Sequence, residues 1–240
     1  MSNDIKLLYV EDMNQKQDLP AGRFSSWLCI IRNALAKENR VDVPCGDCNV
    51  CCKSSYFIHI KPEETQTLTR IPKNLLFAAP FLPKGNMMLG YDENGRCPML
   101  ISNKCLIYKH RPLTCRNYDC RIFPAVGIAA GGDDKVMITR HVQRWKFSYP
   151  TKRDRKLHSA VQTAALFLQE HKNCFPDGVV PSDTTQLAIL AIKVHEVFLK
   201  CNKKSGKIDQ VSSELEIAKA VMDANEKFEA KRDTLKIHPT

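Results

Sequence analysis

Residues 44–53 read PCGDCNVCCK, and this stretch decides how the centre of the chain folds. Its cysteines follow the pattern C-x2-C-x2-C-C, at positions Cys45, Cys48, Cys51 and Cys52. Two residues between cysteines allow a tight turn to bring successive sulfurs to one ion, and Gly46, Asp47 and Asn49 are residue types that such turns favour. So many cysteines and turn formers predict an irregular loop. The spacing suits zinc and iron–sulfur clusters alike, so it indicates a metal without choosing between them.

A second cysteine-rich stretch follows at residues 95–120, GRCPMLISNKCLIYKHRPLTCRNYDC. It adds four cysteines, which are Cys97, Cys105, Cys115 and Cys120. Eight of the 11 cysteines therefore lie between positions 45 and 120, and we predict that all eight are metal ligands. Eight thiolates are enough for two sites with four ligands each, but the sequence does not divide them.

Cys51 and Cys52 are adjacent, and neighbouring side chains in an extended chain point to opposite sides. We therefore expect Cys51 to complete the first group of cysteines. Cys52 is expected to face a second site or to remain as a reactive thiol.

Length and composition are those of an ordinary folded protein, with 240 residues that are 43% hydrophobic and 26% charged. A chain of this length can bury a sizeable core without metal, so the metal site can be local. The first residues include Asp4, Glu11 and Asp12 without an apolar segment, and no stretch is long and apolar enough for a membrane helix. We expect a cytoplasmic protein with no membrane partner. Its thiols would stay reduced, which favours metal ligands over disulfides.

The net charge of +10 is concentrated near the second group of cysteines. Residues 96–156 contain 14 basic and 4 acidic side chains, whereas the two remaining parts of the chain are each balanced. Zinc or a four-iron cluster held by four thiolates carries a net charge of about −2, which nearby cations stabilise. Arg111 and Arg116 are the predicted cofactor-binding residues, as donors to the sulfurs. The alternative is that these arginines are solvated surface residues.

Residues 140–156, RHVQRWKFSYPTKRDRK, combine seven basic side chains with three aromatic rings. Basic charge attracts phosphates and rings can stack on bases, so a nucleic-acid surface is one interpretation. The alternation of Trp145, Phe147 and Tyr149 equally describes a strand with one buried face. We favour the strand.

The remaining pattern predicts an α+β fold with an irregular, metal-stapled centre, short hairpins and flanking α-helices. Apolar residues at helical spacing predict a helix over residues 24–39, with Cys29 buried beside its apolar stripe, and further helices over 157–232. A strand is predicted at 56–60, and Pro62 suits the first position of the helix that follows. The segments are an N-terminal helical part (1–42), a cysteine-cluster metal-binding domain (43–150) and a C-terminal helical region packed on it (151–240).

Two turns are predicted within the cysteine-rich domain. The residues Asp92-Glu93-Asn94-Gly95 are typical of a hairpin turn, which would pair residues 87–91 with 97–101. Residues 102–104, Ser-Asn-Lys, predict a second turn. Between Arg111 and Cys120 there is room for one helical turn at most.

The two cysteine-rich stretches closely resemble the YkgJ-type cysteine-cluster family, which has the motif CxxCxxCC and is described as a zinc- or iron-chelating domain. The matching pieces are residues 45–52 (CGDCNVCC), 95–98 (GRCP), 105–108 (CLIY), 111–112 (RP) and 115–116 (CR). The resemblance covers residues 43–125 and implies zinc or iron binding. More distantly, the cysteine motif is similar to that of flagellin lysine N-methylase. The chain has neither a glycine-rich strand-to-helix turn nor a C-x3-C-x2-C motif, which weakens that second comparison.

Three hypotheses follow from these residues. The first is a metal-binding cysteine-cluster protein that holds an iron–sulfur cluster or, second in preference, zinc, with an electron-transfer or metal-handling role. The second is an enzyme module that modifies a protein, such as a lysine methylase, so whether the chain is an enzyme stays open. The third is a metal-stapled nucleic-acid-binding module. The sequence names no protein partner and no substrate.

Overall fold

The computed structural model of the chain describes residues 17–37, 43, 47–201 and 214–237. Cys45, a predicted ligand, lies outside these residues. The α-helices within them are α1 (Phe24–Lys37), α2 (Thr65–Leu68), α3 (Leu113–Asn117), α4 (Ile122–Val126), α5 (Val136–Val142), α6 (Lys152–Glu170), α7 (Thr184–Val194), α8 (Glu196–Cys201) and α9 (Glu214–Ile237). Of the described helices, none is long and apolar enough to span a membrane.

The strands are short and form three small sheets. They are β1 (Leu19–Arg23), β2 (Ile58–Ile60), β3 (Leu76–Ala78), β4 (Met87–Leu89), β5 (Leu100–Ile101), β6 (Lys104–Cys105) and β7 (Trp145–Ser148). β1 pairs with β7 in parallel, β4 lies between β2 and β3 in an antiparallel sheet, and β5 pairs with β6. Helices at both ends and small sheets around a cysteine-rich centre confirm the predicted α+β class.

The larger hydrophobic core lies among the long helices. In α6, Ala160, Ala164 and Ala165 are fully buried, because small side chains allow neighbouring helices to approach closely. This core takes buried residues from each of the three predicted segments, for example Phe24, Phe123 and Leu168, while the segment boundaries themselves stay a prediction.

A buried carboxylate fixes the start of α6 against β1 and α1. Asp154 and Thr151 form a capping box, in which the Thr151 amide donates to Asp154 Oδ2 at 2.9 Å. The other carboxylate oxygen accepts bonds from Arg23 Nε at 3.0 Å and from the Ser25 amide at 3.2 Å. These bonds, first among them that from Arg23, hold the pKa of Asp154 well below its ordinary value.

A smaller core lies under the sheet β2–β4–β3, formed by Ile60, Ile71, Leu89, Met99 and Ile107. The cysteines lie between the two cores. Cys97 and Cys105 pack against the smaller core, whereas Cys51 and Cys120 pack against the larger one. Each core therefore supports one part of the cysteine-rich centre.

The first predicted hairpin is wrong in its pairing. The turn does form, since the Gly95 amide donates to Asp92 O at 2.9 Å and Gly95 has a φ of 73°. However, β4 pairs with β2 and β3 rather than with residues 97–101. Pro98 has no amide to donate to a strand partner, and Leu89 gains more burial between its two sheet neighbours.

The second turn is confirmed as a hairpin between β5 and β6. Ser102 and Asn103 have φ values of 48° and 60°, the left-handed conformations that a two-residue hairpin turn needs. This hairpin matters for the site, because it places Cys105 opposite Leu100.

Two local predictions on the helices are wrong. The helix after Pro62 starts at Thr65, because the Glu64 side chain accepts bonds from the amides of Lys61 and Leu113 and the chain forms a turn there first. Cys29 is exposed, because it lies just outside the stripe of α1 that contains Trp27, Leu28 and Ile31.

The aromatic alternation at 145–149 is confirmed as a strand. Phe147 is 8% exposed, and Tyr149 packs with its ring parallel to that of His158 at 5.4 Å. Trp145 is half-buried and donates to Cys120 Sγ at 3.3 Å. Contacts within the protein therefore account for the alternation, and the nucleic-acid interpretation stays a prediction.

Candidate metal centre

The two cysteine-rich loops meet in space, as the sequence predicted. The Cys97 amide donates to Cys52 O at 2.7 Å, and the Ser55 amide donates to Gly95 O at 2.9 Å. A side-chain bond of 3.1 Å from Asn49 Nδ2 to Asn103 O joins the same two loops. These contacts fix the first loop against both turns of the second.

Cys52 interacts electrostatically with three other thiols, which are drawn from both loops. Burial is the largest cause of the raised pKa values of Cys48, Cys97 and Cys105, and the charge of Cys52 raises all three further. We call Cys48, Cys52, Cys97 and Cys105 the four-cysteine group. The prediction assigned Cys51 to the first group and turned Cys52 away from it, whereas the structure places Cys52 in electrostatic contact with cysteines of both stretches.

Three of these sulfurs share one local arrangement. A backbone amide two residues further along donates a hydrogen bond to each: Val50 to Cys48, Met99 to Cys97 and Ile107 to Cys105. Such bonds stabilise a thiolate and fix the direction of its sulfur, as they do around metal-bound sulfur. The three turns are therefore already shaped to present thiolates.

Burial of these thiols raises their pKa values, and this increase exceeds the decrease caused by the backbone amides. It raises the pKa of Cys97 to about 11 and also raises the pKa values of Cys48 and Cys105, and repulsion from the neighbouring sulfurs adds to the effect. Thiols that are buried together favour the neutral form unless a cation compensates their charge. A bound metal ion would supply the positive charge that favours the thiolate form.

Cys52 differs from the other three. A hydrogen bond from the Cys51 thiol, followed by the charge of Lys53, lowers the pKa of Cys52 to about 7 although burial opposes the change. Within the four-cysteine group, Cys52 is accordingly the cysteine that forms a thiolate most readily at neutral pH.

A cavity of about 380 Å³ opens beside the four-cysteine group. Its lining residues are Asp47, Cys48, Asn49, Cys52, Leu100, Asn103, Lys104, Cys105 and Tyr108. The lining comes from both loops, so a group bound in this cavity would contact residues of each.

A second pair of cysteines lies against the larger core. Trp145 Nε1 donates to Cys120 Sγ at 3.3 Å, and both Cys120 and Cys51 raise the pKa of the nearby Tyr118 hydroxyl. Burial is the first cause of that increase, followed by Tyr56, whose hydroxyl lies 2.9 Å from that of Tyr118. Cys51 and Cys120 thus share a half-buried environment with two tyrosines. Cys115 is half-buried in α3, and its membership of either set, like that of Cys45, stays a prediction.

The two predicted cofactor-binding arginines both bond backbone carbonyls. Arg111 is 9% exposed, donates to Tyr108 O and Val43 O, and its charge lowers the pKa of Cys105 against the larger effect of burial. Arg116 donates to the carbonyls of Arg111 and Lys109. Both arginines therefore hold the loops in place, and Arg111 also supplies positive charge near a sulfur.

Residues 44–139 match the sequence profile of the CxxCxxCC family, described as a "putative zinc- or iron-chelating domain". We refer to this matched segment, residues 44–139, as the CxxCxxCC domain. The match confirms the resemblance seen in the two cysteine-rich stretches and supports metal binding by this part of the chain. No curated protein and no solved structure matches the chain.

The CxxCxxCC domain is fixed to the helical body through Asp119. This carboxylate is 4% exposed and accepts bonds from Trp27 Nε1 of α1 at 2.9 Å and from Arg121 Nη2 at 2.6 Å. Arg121 in turn donates to Ala21 O in β1 at 3.2 Å. Because Asp119 directly precedes Cys120, these bonds set the position of that cysteine relative to α1.

One histidine near the centre was not predicted. His141 Nε2 lies 3.6 Å from Cys48 Sγ, and its ring meets that of Trp145 edge-on at 6.1 Å. His141 lies just beyond the matched segment, in the last turn of α5. No spacing rule could have found it, because 93 positions separate it from Cys48.

Proposed function

We propose that the CxxCxxCC domain holds an iron–sulfur cluster through the four-cysteine group, Cys48, Cys52, Cys97 and Cys105. The supporting observation is the cavity of about 380 Å³, which three of these cysteines from both loops line, namely Cys48, Cys52 and Cys105. Cys97 is included because it interacts electrostatically with Cys52 and Cys105. All-cysteine ligation is typical of iron–sulfur clusters, and the donor set fits this group. The cavity gives room for a group larger than one ion.

Zinc is the alternative, and the spacing of the sulfurs favours the larger group. A tetrahedral zinc ion holds neighbouring sulfurs about 3.8 Å apart. Among the described cysteines of the centre, no three sulfurs lie within 4.8 Å of one another. In a four-iron cluster each of the four cysteines binds a different iron, so the sulfurs are held farther apart.

The role that follows is electron transfer or the handling of metal. An iron–sulfur cluster supplies a one-electron redox centre when bound. The chain's own residues direct sulfurs into the cavity, exclude water on the side of the smaller core and leave Lys104 and Asn103 exposed at the rim. An as yet unidentified protein partner or substrate would approach from this open side.

Metal analysis of the protein, purified without oxygen, tests this proposal. We expect iron and acid-labile sulfide in equal amounts, with a brown colour that disappears on oxidation or chelation. A colourless protein with stoichiometric zinc and no sulfide would contradict the iron–sulfur assignment while leaving the four-cysteine group as a zinc site.

A further inference from the structure

A group of three metal-binding side chains lies outside the CxxCxxCC domain, where α6 ends and α9 begins. His171 follows α6, Cys174 ends the short 3-10 helix Lys172–Cys174, and Glu214 is in the first turn of α9. One ligand atom from each of these side chains lies within 4.8 Å of those of the other two. Among the described residues this is the one group that meets that distance, and nothing in the matched family accounts for it.

The distances fit a tetrahedral ion. Glu214 Oε2 lies 3.3 Å from His171 Nδ1 and 3.8 Å from Cys174 Sγ. In a tetrahedral zinc site with ordinary bond lengths, nitrogen and oxygen ligands lie about 3.3 Å apart, and sulfur and oxygen ligands about 3.5 Å apart. The side chains would need little movement to close on such an ion.

The three donor atoms indicate which metal ion the group would bind. An imidazole nitrogen, a thiolate and a carboxylate oxygen together suit zinc, which accepts all three, whereas calcium and magnesium prefer oxygen ligands alone. The ring of His171 stacks on Phe167 at 4.5 Å, which limits its rotation and keeps Nδ1 directed at the other two groups. Glu214 is 62% exposed, so the fourth coordination position faces water.

We propose that His171, Cys174 and Glu214 bind a zinc ion that fastens the first turn of α9 to the end of α6. The two elements are far apart in sequence, and α9 packs on α1, α7 and α8 to complete the larger core. A metal bridge at its first turn would limit fraying of that end of the helix. The site is independent of the cofactor proposed for the four-cysteine group.

Zinc titration in competition with a chromophoric chelator tests this site. The parent chain should bind one more tight zinc ion than a His171→Ala, Cys174→Ser double variant, and Glu214→Gln should weaken that zinc by at least roughly tenfold. Cys29→Ser is the matched control, because Cys29 is an exposed helical cysteine remote from the group in sequence, and it should leave the zinc count unchanged. Equal zinc binding by parent and double variant would overturn the proposal and leave only a contact between His171 and Glu214.

The same titration in a chain with Cys52→Ala and Cys105→Ala separates this site from the CxxCxxCC domain. One zinc ion should still bind there, and the His171→Ala, Cys174→Ser changes should remove it. Hydrogen exchange of the first turn of α9 in the parent chain gives a readout that needs no variant. Zinc should slow that exchange, and an unchanged rate would contradict the fastening role.

Discussion

Cys52→Ala is expected to remove most of the bound metal, a larger loss than any other single cysteine change of the four-cysteine group should cause. Cys52 interacts with Cys48, Cys97 and Cys105, and its thiolate forms most readily because its pKa is lowered to about 7. Removing it takes away both a ligand and the negative charge shared by the two loops. Metal per chain after anaerobic purification is the measurement.

The matched control for this variant is Cys29→Ala, which removes an exposed cysteine from α1. Circular dichroism should show the same helical content in both variants, because the larger core contains neither cysteine. A Cys52→Ala protein with the full metal content of the parent would mean that the ligands lie elsewhere among the eight cysteines.

The second large effect is expected on stability. Asp119→Ala should lower the free energy of unfolding by about 3–5 kcal/mol, the usual cost of removing one partner from a buried ion pair. The change leaves the Trp27 indole N–H buried without its acceptor and leaves Arg121 without its carboxylate. Urea unfolding followed by tryptophan fluorescence measures it, because Trp27 reports on this contact.

Asp119→Asn separates the ion pair from the hydrogen bond, because the amide oxygen can still accept from Trp27 while the charge opposite Arg121 is lost. Asp119→Asn should therefore lower the free energy of unfolding by less than Asp119→Ala does. Asp177→Ala is the control for an exposed aspartate and should change stability by less than roughly 0.5 kcal/mol. Equal stabilities of the Asp119→Ala protein and the parent would show that the domain is not fixed to α1 through this carboxylate.

Features fixed by local rules could be predicted from the sequence. The two cysteine-rich loops, the Ser102–Asn103 turn and the apolar stripe of α1 all follow from neighbouring residues, and the structure confirms each. The strand at 145–148 was predicted from alternation alone. The family resemblance rested on the same short motifs.

Features that depend on distant partners could not be predicted. Nothing near β4 indicates that it pairs with β2 and β3, because that choice depends on burial of Leu89 in a core assembled from separate segments. His141 reaches Cys48 only because α5 folds back onto the first loop. The adjacent Cys51 and Cys52 lie in different surroundings, as expected. Which surroundings each side chain enters depends on the 3-10 helix Cys51–Lys53, which was not predicted.

The basic residues near the second group of cysteines were expected to stabilise metal-bound thiolates, and several of them bind other parts of the chain instead. Arg111 and Arg116 bond backbone carbonyls of the loops, and Arg121 pairs with Asp119. These three arginines therefore fix the chain around the centre, and Arg111 also lowers the pKa of Cys105 against the larger effect of burial. The protein-modification and nucleic-acid hypotheses stay predictions.

Alkylation of cysteines, mapped by mass spectrometry in the metal-loaded and the metal-free protein, tests most directly whether both loops hold one group. The account predicts that Cys48 and Cys52 of the first loop and Cys97 and Cys105 of the second are protected together, and that all four become reactive at the same chelator concentration. If the cysteines of one loop react equally fast with and without metal, the two loops do not share a metal centre.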